Sequence, residues 1–251
     1  MPHALALSPH LDDAAFSCGG TLARLAQAGW EVTVCTAFTQ SVPAPGGFAL
    51  ACQTDKGLPP EADYMAIRRA EDAAACAALG ARPVWLPFAE APHRGYSDAA
   101  ALFGPVRAAD DIDTALAAAL AAGPLAPPWP DLLLAPQAMG GHVDHVQVVR
   151  AVRRAAPPGV PVLWWTDFPY AARPRTHPAE PFAAAMRALP ECRVMGDAAA
   201  RLAACAAYTT QLGFQFGGLA GLARTLAQAG AMEMLREAGP APLPQSWNIA
   251  A

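Results

Sequence analysis

The chain predicts an α/β fold: a mainly parallel sheet with helices on both faces. Three observations carry that prediction. Apolar runs of strand length alternate with longer stretches of helical spacing, the pattern of repeated strand–helix units. One run, "PDLLLAPQ", is continuously apolar, as a strand covered on both faces must be. Histidine- and aspartate-rich clusters follow the first and fourth runs, at the carboxyl strand ends where ligands gather in such sheets. At 251 residues the chain can bury a sizeable core, and with no internal repeat or clear linker it reads as one domain over 1–251.

The elements follow in order. "HALALSP" is the first strand, and "SCGGTLARLAQAGW" a helix ending near Gly29. "WEVTVCTAFT", rich in β-branched residues, is the second strand. Residues 40–62, with repeated proline and glycine, form a long loop. "YMAIRRAEDAAACAALGA" has helical spacing, with Asp63 or Asp55 as its N-cap and Gly80 as its C-cap. "RPVWLPF" is the third strand, "DDIDTALAAALAAG" a buried helix, "PDLLLAPQ" the fourth strand, "HVDHVQVVRAVRRAA" a helix and "VPVLWWTDFPY" the fifth strand. From about Arg173 the chain reads as mostly helical, with loops.

Composition excludes several classes. Apolar residues make up 54 %, much of the excess being alanine, and the net charge is −4. No block of lysine or arginine offers a footprint for nucleic acid. "TALAAALAAGPLAPP" breaks at Gly123 and Pro124, short of the roughly 20 apolar residues of a membrane span. "MPHALALSPH" lacks the basic and apolar regions of an export signal. The six cysteines form no CxxC pair, so reduced thiols and a cytoplasmic location are expected.

The clusters "LSPHLDDAAFSCGG" and "APQAMGGHVDH" bring His10, Asp12, Asp13, His142, Asp144 and His145 to one rim of the sheet, and include half of the six histidines. Histidine and carboxylate together suit zinc or a similar divalent ion. His10 and Asp13, three residues apart, could reach one ion from a turn entering a helix. Asp12, next to Asp13, must point elsewhere and could take a proton from an activated water. Of His142 and His145, one could complete the metal site while the other faces the substrate. Gly19, Gly20, Gly140 and Gly141 would let the backbone approach closely. The bland alternative is that the aspartates cap the following helix and the histidines are loop residues. Two such clusters, each after a parallel strand, favour a site.

"SPHLDDAAFSCGG" resembles the (A/S)PHxDD(E/A)…GG signature of the PIG-L/LmbE-like zinc de-N-acetylases, and "GGHVDH" is similar to their HP(D)H-type second motif. "RRAEDAAACAALG" and "WWTDFPYA" resemble further family segments, and the likeness runs over roughly residues 4–170. Two departures, Ala14 for a commoner glutamate and Val143 for proline, bear on subfamily rather than chemistry. The resemblance implies a Rossmann-like fold and removal of an N-acetyl group from an amino-sugar-containing small molecule, with Zn2+ (or Fe2+ or another divalent metal) on His10, Asp13 and His145. It implies Asp12 as general base, a protonated His142 stabilising the tetrahedral intermediate, and Asp144 orienting His142.

Around this core, Arg68, Arg94, Tyr96 and Asp167 are candidates for substrate contact, with His93 beside them. Arg68 could instead pair with Glu71 at i, i+3, and Asp167 could support a metal-binding histidine or shape the turn before Pro169. Trp164, Trp165 and Cys18 read as core or pocket wall; His3 and His177 have no evident partner. Other readings are a zinc amidase on a non-sugar N-acyl substrate and a catalytically inactive Rossmann-like binding protein. A nucleotide-binding module is disfavoured because two aspartates stand where a phosphate-cradling GxGxxG would be needed.

Overall fold

The computed structural model describes residues 1–170 and 181–243. The expected strands and helices form as β1 (His3–Ser8), α1 (Asp13–Gln27), β2 (Glu31–Thr36), α3 (Tyr64–Leu79), β3 (Arg82–Trp85), α5 (Ile112–Ala122), β4 (Leu132–Pro136), α6 (Val143–Ala155) and β5 (Val162–Trp165), joined by two helices the sequence did not announce, α2 (Gly47–Thr54) and α4 (Ala99–Leu102). Beyond them come α7 (Ala183–Arg187), β6 (Glu191–Met195), α8 (Ala198–Ala206), α9 (Thr209–Phe216), α10 (Leu219–Ala229) and β7 (Met232–Ala238). The seven strands make one sheet in the order β3-β2-β1-β4-β5-β7-β6. β1 to β5 are parallel, while β7 runs antiparallel to both β5 and β6. The strand order reverses at β1, which pairs with both β2 and β4, so the crevice between their carboxyl ends is the place where such sheets bind ligands.

Alternation along the central strands explains why both faces are covered. Ala4 and Ala6 of β1, with Leu132 and Leu134 of β4, face a core packed by Leu22 and Leu25 of α1 and Leu79 of α3. Leu5, Leu7, Leu133 and Ala135 face the opposite core, packed by Leu116 and Leu120 of α5 and by Val146 and Val149 of α6. Each fully buried leucine contributes about 1.5–3 kcal/mol relative to leaving it exposed. Asp63 caps α3 by accepting from the Ala66 N–H at 2.9 Å, and Gly80 ends it in the left-handed region at φ 69°. No helix among the described residues is long and apolar enough to cross a membrane.

Four differences from the sequence reading have local causes. The long loop contains α2, whose only buried residue is Gln53, so too little apolar periodicity marks it. The alanine-rich α5 is not buried all round: Leu116 and Leu120 go inward with Asp113, while the rest is partly or fully exposed. Helix α1 begins at Asp13 rather than at Ser17, inside the polar cluster. The last third adds two strands, and β7, "MEMLREA", hid because its inward positions carry Glu233 as well as Leu235. Arg173 and His177 lie outside the described residues.

Glu233 has a structural task. Helix α1 leaves helical geometry at Cys18 (φ −140°, ψ 22°), within the turn that precedes Gly20 and Thr21. The Glu233 carboxylate accepts from the N–H groups of Gly20 at 2.8 Å and Thr21 at 2.6 Å, so β7 caps the second half of α1. Gly20 is also tightly packed, against the chain that follows β6. A Cβ there would stand 2.8 Å from the Asp197 nitrogen and 2.9 Å from the Gly196 Cα, both main chain. Gly20→Ala should therefore destabilise the fold by about 1–3 kcal/mol, the usual range for overpacking; a denaturant melt unchanged within error would contradict this.

Candidate metal centre and catalytic cleft

The turn after β1 and the start of α6 meet although their key residues are far apart in sequence: the His10 ring reaches the Asp144 carboxylate across 134 positions. His10, Asp13 and His145 each direct one ligand atom to a common point, all within 4.8 Å of one another. Asp13 Oδ2 lies at the centre, 3.2 Å from His10 Nδ1 and 3.2 Å from His145 Nε2. Both imidazoles are held from behind. His10 Nε2 donates to Asp144 Oδ2 at 2.9 Å, and His145 Nδ1 donates to Asp167 Oδ1 at 2.8 Å. Each ring is thereby fixed with its other nitrogen facing Asp13, the carboxylate–histidine pattern of metal sites.

The donor set fits zinc on an observation independent of any likeness. His145 Nε2 is buried and has no hydrogen-bond partner, an arrangement that is costly unless a cation takes its lone pair. Two imidazoles and one carboxylate are a usual catalytic zinc set, leaving room for water and substrate. A second grouping, His10 with His142 and Asp144, is also close enough for an ion. Its donors are committed elsewhere: His142 Nδ1 accepts from the Asp144 N–H at 3.2 Å, and the Asp144 carboxylate serves His10, the Ala91 N–H and Arg94.

Asp12 stands beside this centre and outside the ligand set. It is 5 % exposed. Arg68 Nη2 lies 3.4 Å from its Oδ1, and Gln215 Nε2 donates to its Oδ2 at 3.2 Å. Burial pushes the Asp12 carboxyl up to about 7, with Arg68 opposing and Asp13 adding to the rise. That value suits a general base near neutral pH. His10 also rises well above the ordinary imidazole value: burial opposes the charge, but the hydrogen bonds to Asp13 and Asp144 outweigh it. Burial likewise works against charge on His145, yet Asp13 and Asp167 carry it up to about 9. Burial, followed by the charge of His10, drops His142 to about 3. Burial and the neighbouring His10 thus work against the imidazolium, and Nδ1 accepts from the main chain, which leaves Nε2 to carry the proton of a neutral ring.

The remaining expectations divide by where the tertiary structure puts each side chain. Arg68 lines the cleft, but its partners are Glu90 Oε1 at 2.7 Å, Asp12 and the Leu11 carbonyl rather than Glu71. Glu71 is taken by Thr209 and Thr210. Arg94 and Tyr96 do not line the cleft. Arg94 forks onto Asp110 at 3.1 and 3.0 Å and reaches Asp144 Oδ1 at 2.8 Å; Tyr96, 1 % exposed, donates to Asp110. Arg94 thus braces Asp144 directly, and Tyr96 holds Asp110, the other partner of Arg94. Asp167 is equally buried and accepts from the Gln137 and Met139 N–H groups as well as holding His145, so it does not face substrate. The Asp144 carboxylate orients His10, not the His142 ring. Trp164 and Trp165 are core; Cys18 is buried; His3 pairs with Thr33.

Sequence reasoning passed over Tyr64, Glu90, Gln211, Phe214 and Gln215, all in the cleft wall. The last three come from α9, whose spacing of three and four residues puts them on one helix face. That spacing was the available signal, but α9 follows no recognisable motif.

Comparison with known proteins gives the family and the fold. The profile of the PIG-L family, described as GlcNAc-PI de-N-acetylase, matches residues 5–156. A 2'-N-acetylparomamine deacetylase of Streptomyces fradiae is 37 % identical over 172 residues, covering 67 % of this chain but only 58 % of that protein, so the chain spans a little over half the length of this curated relative. Among solved structures, A40926 pseudoaglycone deacetylase Dbv21 superposes with a TM-score of 0.70 at 30 % identity, over 93 % of this chain and 95 % of the other. A deacetylase of teicoplanin biosynthesis gives 0.72 at 28 % identity, over 94 % and 97 %.

Proposed function

Because this chain belongs to the PIG-L family of GlcNAc-PI de-N-acetylase-like proteins, we propose that it hydrolyses the N-acetyl group of an amino-sugar-containing small molecule, releasing acetate and a free amine. The observation that carries the proposal is the convergence of His10, Asp13 and His145 around one point with the Asp12 carboxylate alongside. Antibiotic intermediates are the favoured substrates, since the similar proteins are named as deacetylases of acetylparomamine, of the A40926 pseudoaglycone and of teicoplanin biosynthesis. Six free thiols support a reducing, cytoplasmic setting.

Zinc, held by His10, Asp13 and His145, would polarise the amide carbonyl and lower the pKa of the attacking water. The protein's own residues do the rest. Asp12 accepts the proton of that water as the oxygen adds to the carbonyl carbon, and returns it to the amine nitrogen as the C–N bond breaks. Arg68 and Gln215 hold the Asp12 oxygens in place. The neutral His142 donates from Nε2 to the oxygen that gains charge, a stabilisation that exceeds its worth in water because the site is buried. Asp144 and Asp167 keep the two histidines aimed.

Acetate release from a panel of N-acetylated aminoglycoside and glycopeptide intermediates, with N-acetyl amino acids alongside, tests the reading. Turnover confined to the amino acids would favour the zinc amidase alternative; no turnover by zinc-loaded protein would favour a binding protein. The pH profile is a second test. Asp12 must be deprotonated to act, so kcat/KM should fall as pH drops through the Asp12 value. That value is about 7 for the chain alone, and a divalent cation beside it favours the charged form and moves it lower. An acid limb centred clearly above pH 7 would contradict Asp12 as the base.

A further inference from the structure

We propose that Lys56 forms a carboxylate-binding subsite in the catalytic cleft, so that the substrate is an N-acylated amino sugar that also carries a carboxylate. This rests on the deacetylase reading above and narrows its substrate class. Lys56 lines the same cleft as His10 and Asp12. Its ammonium donates to the Cys52 carbonyl at 2.7 Å and lies 5.3 Å from the Tyr64 ring centroid and 5.2 Å from that of Phe214. The Arg68 guanidinium lies 5.4 Å from the same Tyr64 centroid. Both cations are therefore beside a single aromatic ring, and Arg68 in turn touches the base Asp12.

The two cations differ in what neutralises them. Arg68 has Glu90 and Asp12. Lys56 forms no ion pair with any acidic group among the described residues. An ammonium has three donors, and only one is used, on a main-chain carbonyl. Two aromatic faces steady the charge at this position without accepting its remaining N–H groups as an oxygen would. A charge drawn partly out of water and left unpaired is unfavourable, and an incoming anion relieves it.

The balance of charge selects a carboxylate. One ammonium without an acidic partner matches the single negative charge of a carboxylate, while Asp12 and Glu90 in the same cleft already face Arg68. Position places the carboxylate on the sugar that bears the amide or on its neighbour, because Lys56 and the Arg68–Asp12 contact flank one ring. Phe214, 66 % exposed, offers a flat face beside the ammonium for the sugar ring.

The test compares kcat/KM for N-acetylglucosaminuronic acid, N-acetylglucosamine and N-acetylglucosamine 1-phosphate, using zinc-loaded wild type, Lys56→Met and Lys56→Arg of equal zinc content and melting temperature. The wild type should prefer the uronic acid over the neutral sugar by about tenfold or more. In Lys56→Met that ratio should fall to near one, and Lys56→Arg should keep most of it. An unchanged ratio in Lys56→Met, a wild type that favours the neutral sugar, or a preference for the phosphate over the uronic acid would each overturn the proposal. Calorimetric titration of glucuronate and glucose into the same proteins provides a readout independent of turnover. If no N-acetyl sugar is hydrolysed the deacetylase reading fails, while tighter binding of glucuronate that vanishes in Lys56→Met would still support the subsite, and equal binding in both proteins would end it.

Discussion

Asp12→Asn should keep its zinc and lose about 10²–10⁴-fold in kcat, the span typical of removing a general base. The reasoning separates two neighbouring aspartates by direction. Asp13 turns its Oδ2 to His10 and His145, whereas Asp12 turns to Arg68 and Gln215. Asparagine preserves the size of the side chain and a carbonyl oxygen for Arg68 or Gln215, but it cannot accept the proton of the attacking water. Metal analysis and acetate release on the same preparation read both halves of the prediction. Stoichiometric zinc with near-normal turnover would show that the proton goes elsewhere; loss of zinc would place Asp12 among the ligands.

His145→Ala should fail differently, losing metal affinity by more than about 100-fold, beyond the range seen for residues that only support a ligand, and losing turnover with it. The same change leaves Asp13 and Asp167 without the ring that lies between them. Truncating one partner of a buried charged pair typically destabilises by about 3–5 kcal/mol, so a thermal melt should drop as well. His145→Gln refills much of the volume and separates the effects: a recovered melt with zinc still absent assigns the metal loss to the missing imidazole. Full zinc occupancy in a folded His145→Gln protein would contradict the ligand set.

The sequence by itself determined the elements whose signal is local. The β1 and β4 runs are apolar on both faces because both faces are covered. Gly80 stops α3 because the turn needs a left-handed residue. The two polar clusters sit where a parallel strand ends, so composition and position together placed His10, Asp12, Asp13, His142, Asp144 and His145 on one rim without any knowledge of side-chain direction. By contrast, β7 escaped because its inward Glu233 breaks the apolar alternation for the sake of a helix cap more than 200 positions away, on α1.

Only the tertiary structure decided which way the rim residues point. Asp144 lies one residue from His145 and two from His142, yet its carboxylate serves His10, a partner that no local spacing names. Arg94 and Tyr96 belong to the expected loop and still face inward, because Asp110 and Asp144 wait behind it. Arg68 bypasses Glu71, three positions along its own helix, for Asp12 and Glu90, and α9 delivers Gln215 to Asp12 from the far end of the chain. Periodicity and turn chemistry report how each segment folds and which rim it reaches. The direction of a buried polar group is set by whichever opposite charge or unpaired donor packing brings within reach, and that is a property of the assembled sheet and its helices.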